Sequence, residues 1–505
     1  MLRSRPALSI ALTSVAIALL AGCGAPDQGV TAGRSDANAQ ESATSVPTSA
    51  EATPTSELPA PTAEPATTAS LPTSSGIVDF GQGKTPQPYD SFLDAAFADV
   101  TEFWASSFPT AYGKSFEPVK GVYALYPERT DAPQSCDGAV GYDQVEGNAF
   151  YTDCGDIIVY DDASLVPDLV KQFGESGVAV VAAHEYGHAI QSRAGLLGKQ
   201  ATIDSEQQAD CFAGAWTAHV ARGESKTLRF TDADINAGLL SMIYVRDPVG
   251  LVPDSTNNGH GTAFDRVGAF QEGFLNGVAR CVDFPKNPNP RVDLPFLTQE
   301  EYNNGGNLSY DDTLAKLPAA MTIFWQPTLD ASKVAFTPPT VVGFPSAGPY
   351  PTCDARKGAD LKNNATYCAA TNTIVFDEDL ARNLLTNGGD MAMAYPIANA
   401  YGDAVQTALK SALATDKRVL LSDCLVGVWI TDIIPTVDAQ GNVGPTNPKQ
   451  EISLSPGDLD EAIVAAMALA DPSADTNKAG TAFEKVDAIR AGVLGGMNAC
   501  QARIG

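Results

Sequence analysis

The sequence predicts an α+β fold, and it predicts that this fold occurs twice along the chain. β-like apolar runs at 157–160 and 374–376 each come before the main helical segments instead of alternating with them. Strands that precede a run of helices favour α+β over α/β architecture. Helical apolar spacing marks four segments of the first half: 88–106, 178–194, 205–222 and 262–280.

An internal repeat indicates the duplication. Residues 261–281 read GTAFDRVGAFQEGFLNGVARC, and residues 480–500 read GTAFEKVDAIRAGVLGGMNAC. Likewise DCFAGAW at 210–216 matches DCLVGVW at 423–429. Matches that keep nearly constant spacing along a chain are the signature of repeated units, so we predict a tandem duplication.

The first residues have the features of an export signal. Arg3 and Arg5 precede an apolar run that ends in Leu-Ala-Gly-Cys at Cys23, which resembles a bacterial lipobox. We expect residues 1–22 to be a signal peptide, and a lipid on Cys23 to anchor the protein on the extracytoplasmic face of the bacterial cell membrane. The alternative is an ordinary signal peptide with an incidental cysteine. Residues 23–76, rich in Ser, Thr, Pro and Ala, predict a disordered stalk.

The rest of the chain has room for two domains, which we place at 77–292 and 293–505 and expect to pack against each other. The net charge is −28, from 32 basic and 60 acidic residues. This acidic balance argues against nucleic acid or an anionic surface as a partner.

Eight cysteines besides Cys23 form two equivalent sets of four. An oxidising compartment favours disulfides, and a duplication requires both copies to use one pairing pattern. The simplest pattern has one short and one long loop per copy: Cys136–Cys154, Cys211–Cys281, Cys353–Cys368 and Cys424–Cys500. Metal ligation by Cys211 is the alternative, although its counterpart Cys424 persists where the candidate metal residues are lost.

The segment HEYGH at 184–188 has the pattern of a zinc site. Residues i and i+4 share a helix face, so His184 and His188 can present both imidazoles to one metal. We expect Glu185, beside that face, to act as general base toward water. Two unrelated surface histidines are the alternative, but the apolar run at 178–183 indicates a buried helix.

The following helix offers the remaining groups of such a site. Catalytic zinc usually takes three protein ligands, and Glu206 would be the third, in the arrangement of the glutamate-type zincins. Asp210, at i+4 from Glu206, would accept a hydrogen bond from the far nitrogen of a ligand histidine. The alternative for Glu206 is an acidic residue that favours the start of the helix.

The second copy provides an internal comparison for this site. Where the first copy reads HEYGHAIQ, the second reads NAYGDAVQ at 399–406. The other site positions, Glu206, Asp210 and His260, correspond to Val419, Asp423 and Ala479. We therefore expect one zinc ion, in the first copy only. Because His260 is lost together with the ligands, we expect it to stabilise the developing oxyanion or to bind substrate; a surface role is the alternative.

HEYGHAIQ, EQQADCFAGAW at 206–216 and HGTAFDR at 260–266 together resemble the bacterial neutral zinc metallopeptidase family, over about residues 90–285. The resemblance implies a zincin-like fold of the gluzincin type, present as one intact and one degenerate copy. It also implies endopeptidase activity on a peptide or protein substrate. Asn148 and Ala149 resemble the edge strand of thermolysin-type peptidases, to which an extended peptide can add by main-chain hydrogen bonds. Ala189 departs from the family, which often has another histidine there.

These features predict a lipid-anchored zinc metalloendopeptidase. The alternative is a surface lipoprotein that binds peptides or assembles with other proteins and holds a structural zinc ion. An open coordination position close to Glu185 would favour the enzyme, and a fourth protein ligand would favour the binding protein.

Overall fold

The computed structural model describes residues 76–250, 259–292, 294–354, 356, 358–437, 443–470 and 480–504. The expected signal peptide, the lipidation site Cys23, nearly all of the stalk and Ala479 lie outside these residues. Among the helices that are described, none combines the length and apolarity that crossing a membrane requires.

The first half places a small sheet against a group of helices. Its strands are β1 (Val78–Asp79), β2 (Gly121–Leu125), β3 (Gln134–Ser135), β4 (Gly138–Ala139), β5 (Ala149–Thr152) and β6 (Ile157–Asp161). Its helices are α1 (Asp90–Tyr112), α2 (Leu165–Ala194), α3 (Thr202–Ala221), α4 (Asp232–Tyr244) and α5 (Ala263–Asp283). The main sheet has the order β1-β2-β6-β5, in which β2 and β6 are parallel and β5 runs antiparallel to β6. β5 is therefore an edge strand.

The second half has the same kinds of element. Its helices are α6 (Gln299–Asn303), α7 (Tyr310–Ala331), α8 (Glu378–Gly388), α9 (Asp390–Ala408), α10 (Thr415–Ile433), α11 (Asp458–Ala468) and α12 (Ala482–Ile504). Its strands are β7 (Thr340–Phe344), β8 (Ala365–Cys368), β9 (Thr373–Asp377), β10 (Pro435–Val437) and β11 (Val443–Pro445). In the order β7-β9-β8, β7 and β9 are parallel and β8 is antiparallel to β9, which repeats the directions of β2-β6-β5. The mixed α+β class predicted from the sequence is confirmed.

A buried aspartate joins the sheet to the helices in the first half. Asp161 ends β6 and accepts hydrogen bonds from the backbone N–H groups of Gly147, Ala163 and Ser164. Burial alone raises the pKa of Asp161, but these bonds and one from the Ser164 hydroxyl lower it overall. The carboxylate thus satisfies donors at the turn that precedes α2.

The helix that carries HEYGH starts earlier than its apolar pattern predicts. α2 begins at Leu165, not near residue 178, and it contains a break at Gly174, where φ is 74° and ψ is −178°. Only glycine adopts this backbone conformation without strain, so the break separates a leading segment from the buried helix that follows. The prediction covered only that buried part, although Val166, Leu169, Val170 and Phe173 of the leading segment also have helical spacing.

Helices α3 and α5 touch through their backbones. A Cβ atom on Gly214 would lie 2.0 Å from the Phe270 carbonyl oxygen, and one on Gly273 would lie 1.8 Å from the Cys211 carbonyl oxygen. The disulfide between Cys211 and Cys281 ties the same two helices. The structure also contains the disulfides Cys136–Cys154, Cys353–Cys368 and Cys424–Cys500.

Candidate metal centre

The candidate site forms where α2 crosses α3. Gly187 makes the crossing close, because a Cβ atom there would lie 3.0 Å from the Cα atom of Ala209. The crossing brings His184 and His188 of α2 up to Glu206 of α3.

Three potential ligand atoms converge on one point. The Nε2 atoms of His184 and His188 lie 3.2 Å apart. The Glu206 carboxylate oxygens lie 3.2 Å from His184 Nε2 and 3.5 Å from His188 Nε2. Tetrahedral zinc ligands at about 2.0–2.1 Å from the metal are about 3.3 Å from one another. The separations and the donor set of two imidazoles and one carboxylate therefore fit zinc.

Both imidazoles are oriented through their other nitrogen. His184 Nδ1 lies 2.6 Å from Asp210 Oδ1, and His188 Nδ1 lies 2.9 Å from Gln191 Oε1. Both partners are acceptors, so each Nδ1 carries the proton and each Nε2 offers its lone pair. The Gln191 amide is itself fixed, because its Nε2 donates to the Ser205 carbonyl at 2.6 Å. The sequence pattern did not indicate this role for Gln191, although the second half keeps a glutamine there, Gln406.

Arg266 is the second residue whose role the sequence did not indicate. Its guanidinium, 1% exposed, donates to both carboxylate oxygens of Asp210, at 3.0 and 2.9 Å. Burial alone raises the pKa of Asp210, but the charges of Arg266 and His184 lower it overall. Asp210 therefore stays ionised while it accepts hydrogen bonds from His184 and Arg266. The second half indicates the same pair. It has Lys485 and Asp423 at the positions of Arg266 and Asp210, and these two side chains pair at 3.0 Å.

The edge strand of the sheet reaches the candidate general base. Glu185, which is buried, accepts a hydrogen bond of 3.1 Å from the Tyr151 backbone N–H of β5. Burial raises the pKa of Glu185, and the nearby imidazoles of His184 and His188 oppose this rise only in part. A carboxylate with a raised pKa is a stronger base than an ordinary glutamate.

Asn148 and Ala149 lie at the start of this same edge strand. The Ala149 N–H is bound by the Asn148 side chain at 2.9 Å, and the Asn148 carbonyl accepts from the Asp161 N–H. The strand therefore runs from these two residues toward Glu185, with Tyr151 as the point of contact.

His260 lies outside the group of converging ligand atoms. Its imidazole is 47% exposed, and Nδ1 lies 3.4 Å from Asp247 Oδ1. A positive charge on this imidazole would lower the pKa of Glu185, against the effect of burial. The structure thus places His260 at the margin of the site, with a free face toward solvent.

The second half contributes a carboxylate at the start of α5. Asp460 of α11 accepts hydrogen bonds from the backbone N–H groups of Ala263 and Phe264, at 3.1 and 2.8 Å. It also pairs with Arg246 at 3.2 Å. These N–H groups form the first turn of α5, which favours negative charge. The same turn leads directly to Arg266.

The corresponding positions of the second half make different contacts. Asn399 Nδ2 donates to Asp423 Oδ1 at 2.6 Å, in place of the histidine–aspartate contact. Asp403, in the position of His188, forms an ion pair with Arg418. Asn399 and Asp403 are thus each bound to a protein side chain of the second half.

Comparison with known proteins gives one family and several relatives. The family model described as "Putative neutral zinc metallopeptidase" matches residues 73–284. The uncharacterized protein Rv2575 of Mycobacterium tuberculosis is 32% identical over 153 residues, which cover 25% of this chain and 52% of the relative. The uncharacterized protein YpfJ of Escherichia coli K12 is 29% identical over 217 residues, which cover 39% of this chain and 71% of the relative. The chain therefore spans about half the length of the mycobacterial relative. No solved structure matches the chain.

Proposed function

We propose that the first half is a zinc-dependent endopeptidase with a gluzincin-type site, and that the second half is a degenerate copy without a metal. The convergence of His184, His188 and Glu206 at 3.2–3.5 Å carries this proposal. The family match over residues 73–284 supports zinc and a peptide or protein substrate. The repeated strand directions and the matching disulfides support the duplication.

The chemistry divides between the metal and the side chains around it. Zinc held by His184, His188 and Glu206 would act as a Lewis acid and make water reactive near neutral pH. Glu185 takes a proton from the attacking water on its carboxylate and passes it to the nitrogen of the leaving amine. The Tyr151 N–H holds Glu185 in place for both transfers.

The remaining residues bind the substrate and orient the ligands. An extended peptide pairs with the edge strand β5 near Asn148 and Ala149 and so passes Glu185. His260, with its exposed imidazole, donates to the oxygen that becomes negative as the peptide bond is attacked. Asp210 and Arg266 keep the His184 ring in its ligand orientation.

The placement of the protein in the cell is also a proposal. The basic, apolar and Leu-Ala-Gly-Cys segments support a lipid on Cys23 and attachment to the extracytoplasmic face of the membrane. We further propose that the two halves pack as one unit, through contacts such as that of Asp460 with the first turn of α5.

A cleavage experiment tests the proposed activity. Full-length protein is assayed for zinc content and incubated with a mixed peptide library, beside Glu185→Gln and the second-half control Asp403→Asn. We expect Glu185→Gln to keep its zinc but to cleave about 10²–10⁴ times more slowly, and Asp403→Asn to cleave normally. Zinc-loaded wild type that cleaves no peptide would instead favour the peptide-binding lipoprotein.

A further inference from the structure

A second group of metal-ligating side chains lies in the other half of the molecule. Asp390, Asp458 and Glu461 each offer a carboxylate oxygen, and these oxygens all lie within 4.8 Å of one another. Asp390 is the first residue of α9, and the other two lie in the first turn of α11. The residues of this carboxylate cluster take no part in the proposed zinc chemistry.

Hydrogen bonds account for only part of the cluster. Asp390 Oδ2 accepts from the Leu308 N–H at 2.9 Å, and Asp458 Oδ2 accepts from the Ser455 N–H at 2.8 Å. Glu461 Oε2 accepts from the Met391 N–H at 2.9 Å. The Oδ1 atoms of Asp390 and Asp458 are buried and have no hydrogen-bond partner among the described residues. Asp458 as a whole is 5% exposed.

Such an arrangement is unfavourable when the carboxylates are ionised and no positive charge balances them. Burial raises the pKa of Asp458, and the charges of Asp390 and Glu461, with a smaller effect of Glu301, raise it further. Buried carboxylates are normally paired with a cation or bound to a metal. The unpartnered Oδ1 atoms of Asp390 and Asp458 are donors that a metal ion would use.

The cluster borders a surface cavity. Asp390 and Asp458 line this cavity together with Lys316 and Trp429. The cavity thus reaches two of the three carboxylate residues, and a tryptophan lies in its lining.

We propose that Asp390, Asp458 and Glu461 bind a hard divalent cation, and that this cation is Ca²⁺. An all-carboxylate donor set favours Ca²⁺ or Mg²⁺ over zinc. Ca²⁺ binds oxygen ligands at about 2.3–2.6 Å in a flexible geometry, which suits three carboxylates whose oxygens lie within 4.8 Å of one another. Mg²⁺ demands a near-octahedral geometry at about 2.0–2.1 Å, usually keeps several waters and binds through one or two carboxylates, so three carboxylates favour Ca²⁺. The ion would join the starts of α9 and α11.

The first half provides a matched comparison. In α4, Asp234 accepts from the Thr231 N–H at 2.8 Å, just as Asp458 accepts from the Ser455 N–H in α11. Three residues further on, α4 has Ala237 where α11 has Glu461. Asp234 is therefore a helix cap without the cluster, and its substitution controls for loss of the cap. The proposal does not depend on the zinc site or on peptidase activity.

Terbium luminescence tests the site directly, because Tb³⁺ replaces Ca²⁺ and is excited through a nearby tryptophan. Full-length, zinc-loaded protein is titrated with Tb³⁺ under tryptophan excitation, and Ca²⁺ is then added as competitor. We expect one Tb³⁺ per chain, displacement by Ca²⁺, and a higher thermal midpoint in Ca²⁺. Asp458→Asn and Glu461→Gln should each raise the apparent Kd about tenfold or more, and Asp234→Asn should not.

Three results would overturn the proposal. The first is wild-type protein that gives no sensitised Tb³⁺ emission and whose thermal midpoint does not change with Ca²⁺. A thermal midpoint that depends on pH alone would not rescue the proposal. The second is an unchanged response in both Asp458→Asn and Glu461→Gln. The third is a response that disappears in His188→Ala, which would place the ion in the zinc site. Failure of the peptidase assay leaves each of these measurements intact.

Discussion

Replacing Asp210 by asparagine separates the orientation of the zinc ligand from the stability of the fold. Asp210 is fully buried, 2.6 Å from His184 Nδ1, and it receives two hydrogen bonds from Arg266. Asparagine keeps the size of the side chain, but its NH₂ group would face the N–H donors of His184 and Arg266. One hydrogen bond and the charge that neutralises Arg266 are therefore lost.

The structure sets the size of both effects. Leaving one partner of a buried ion pair uncompensated costs about 3–5 kcal/mol. Loss of the residue that orients a metal ligand weakens metal binding by about 10–100-fold. We therefore expect Asp210→Asn to unfold at lower temperature and also to bind zinc more weakly.

Asp423→Asn is the matched control in the second half. Asp423 is also fully buried and holds Lys485 and Asn399, but it orients no candidate ligand. It should lower the thermal midpoint to a similar extent and leave zinc affinity unchanged. Zinc affinity is measured by competition with a chromophoric chelator, and stability by thermal unfolding of the zinc-free protein. Equal zinc affinities for the two variants would refute the orienting role of Asp210.

Three further substitutions test the fold around the site. Gly214→Ala should force α3 away from Phe270 and cost about 1–3 kcal/mol or more, whereas Gly444→Ala, with open space around it, should leave the thermal midpoint nearly unchanged. Asp460→Asn should weaken the cap of α5 and lower peptide hydrolysis while zinc content stays at one per chain; normal hydrolysis would exclude an influence of α11 on the site. Because the pKa of Asp161 is lowered in the fold, its charge stabilises the protein above the ordinary aspartate pKa, and this contribution disappears as the pH falls through the lowered value. Asp161→Asn should therefore be less stable than wild type near pH 7, and the difference in thermal midpoint should shrink below about pH 4.

Helical periodicity explains how much of the site could be predicted. His184 and His188, and likewise Glu206 and Asp210, are four residues apart, so each pair must share a helix face. Their convergence further requires only that the two helices pack on those faces. The α+β class followed in the same way from local apolar patterns.

The parts that were missed depend on contacts distant in sequence. Arg266 reaches Asp210 because α3 and α5 touch at Gly214 and Gly273, and no local pattern encodes that approach. The Tyr151 N–H meets Glu185 only because β5 is the free edge of the sheet.

Two more features depend on contacts between residues that are distant in sequence. Asp460 caps a helix of the other half, and Asp390 meets Asp458 only through the packing of α9 on α11. The early start of α2 was missed for a different reason. Its leading segment is only partly buried, but it does carry helical apolar spacing, at Val166, Leu169, Val170 and Phe173, which the prediction did not use.

Anomalous scattering at the zinc absorption edge, from crystals of full-length protein, tests the central claim most directly. The account predicts one strong peak in contact with His184, His188 and Glu206, with a coordination position open toward Glu185. It predicts no zinc peak at Asn399 and Asp403 in the second half. A fourth protein ligand on the ion, a zinc peak in the second half, or no peak at the three residues would contradict it.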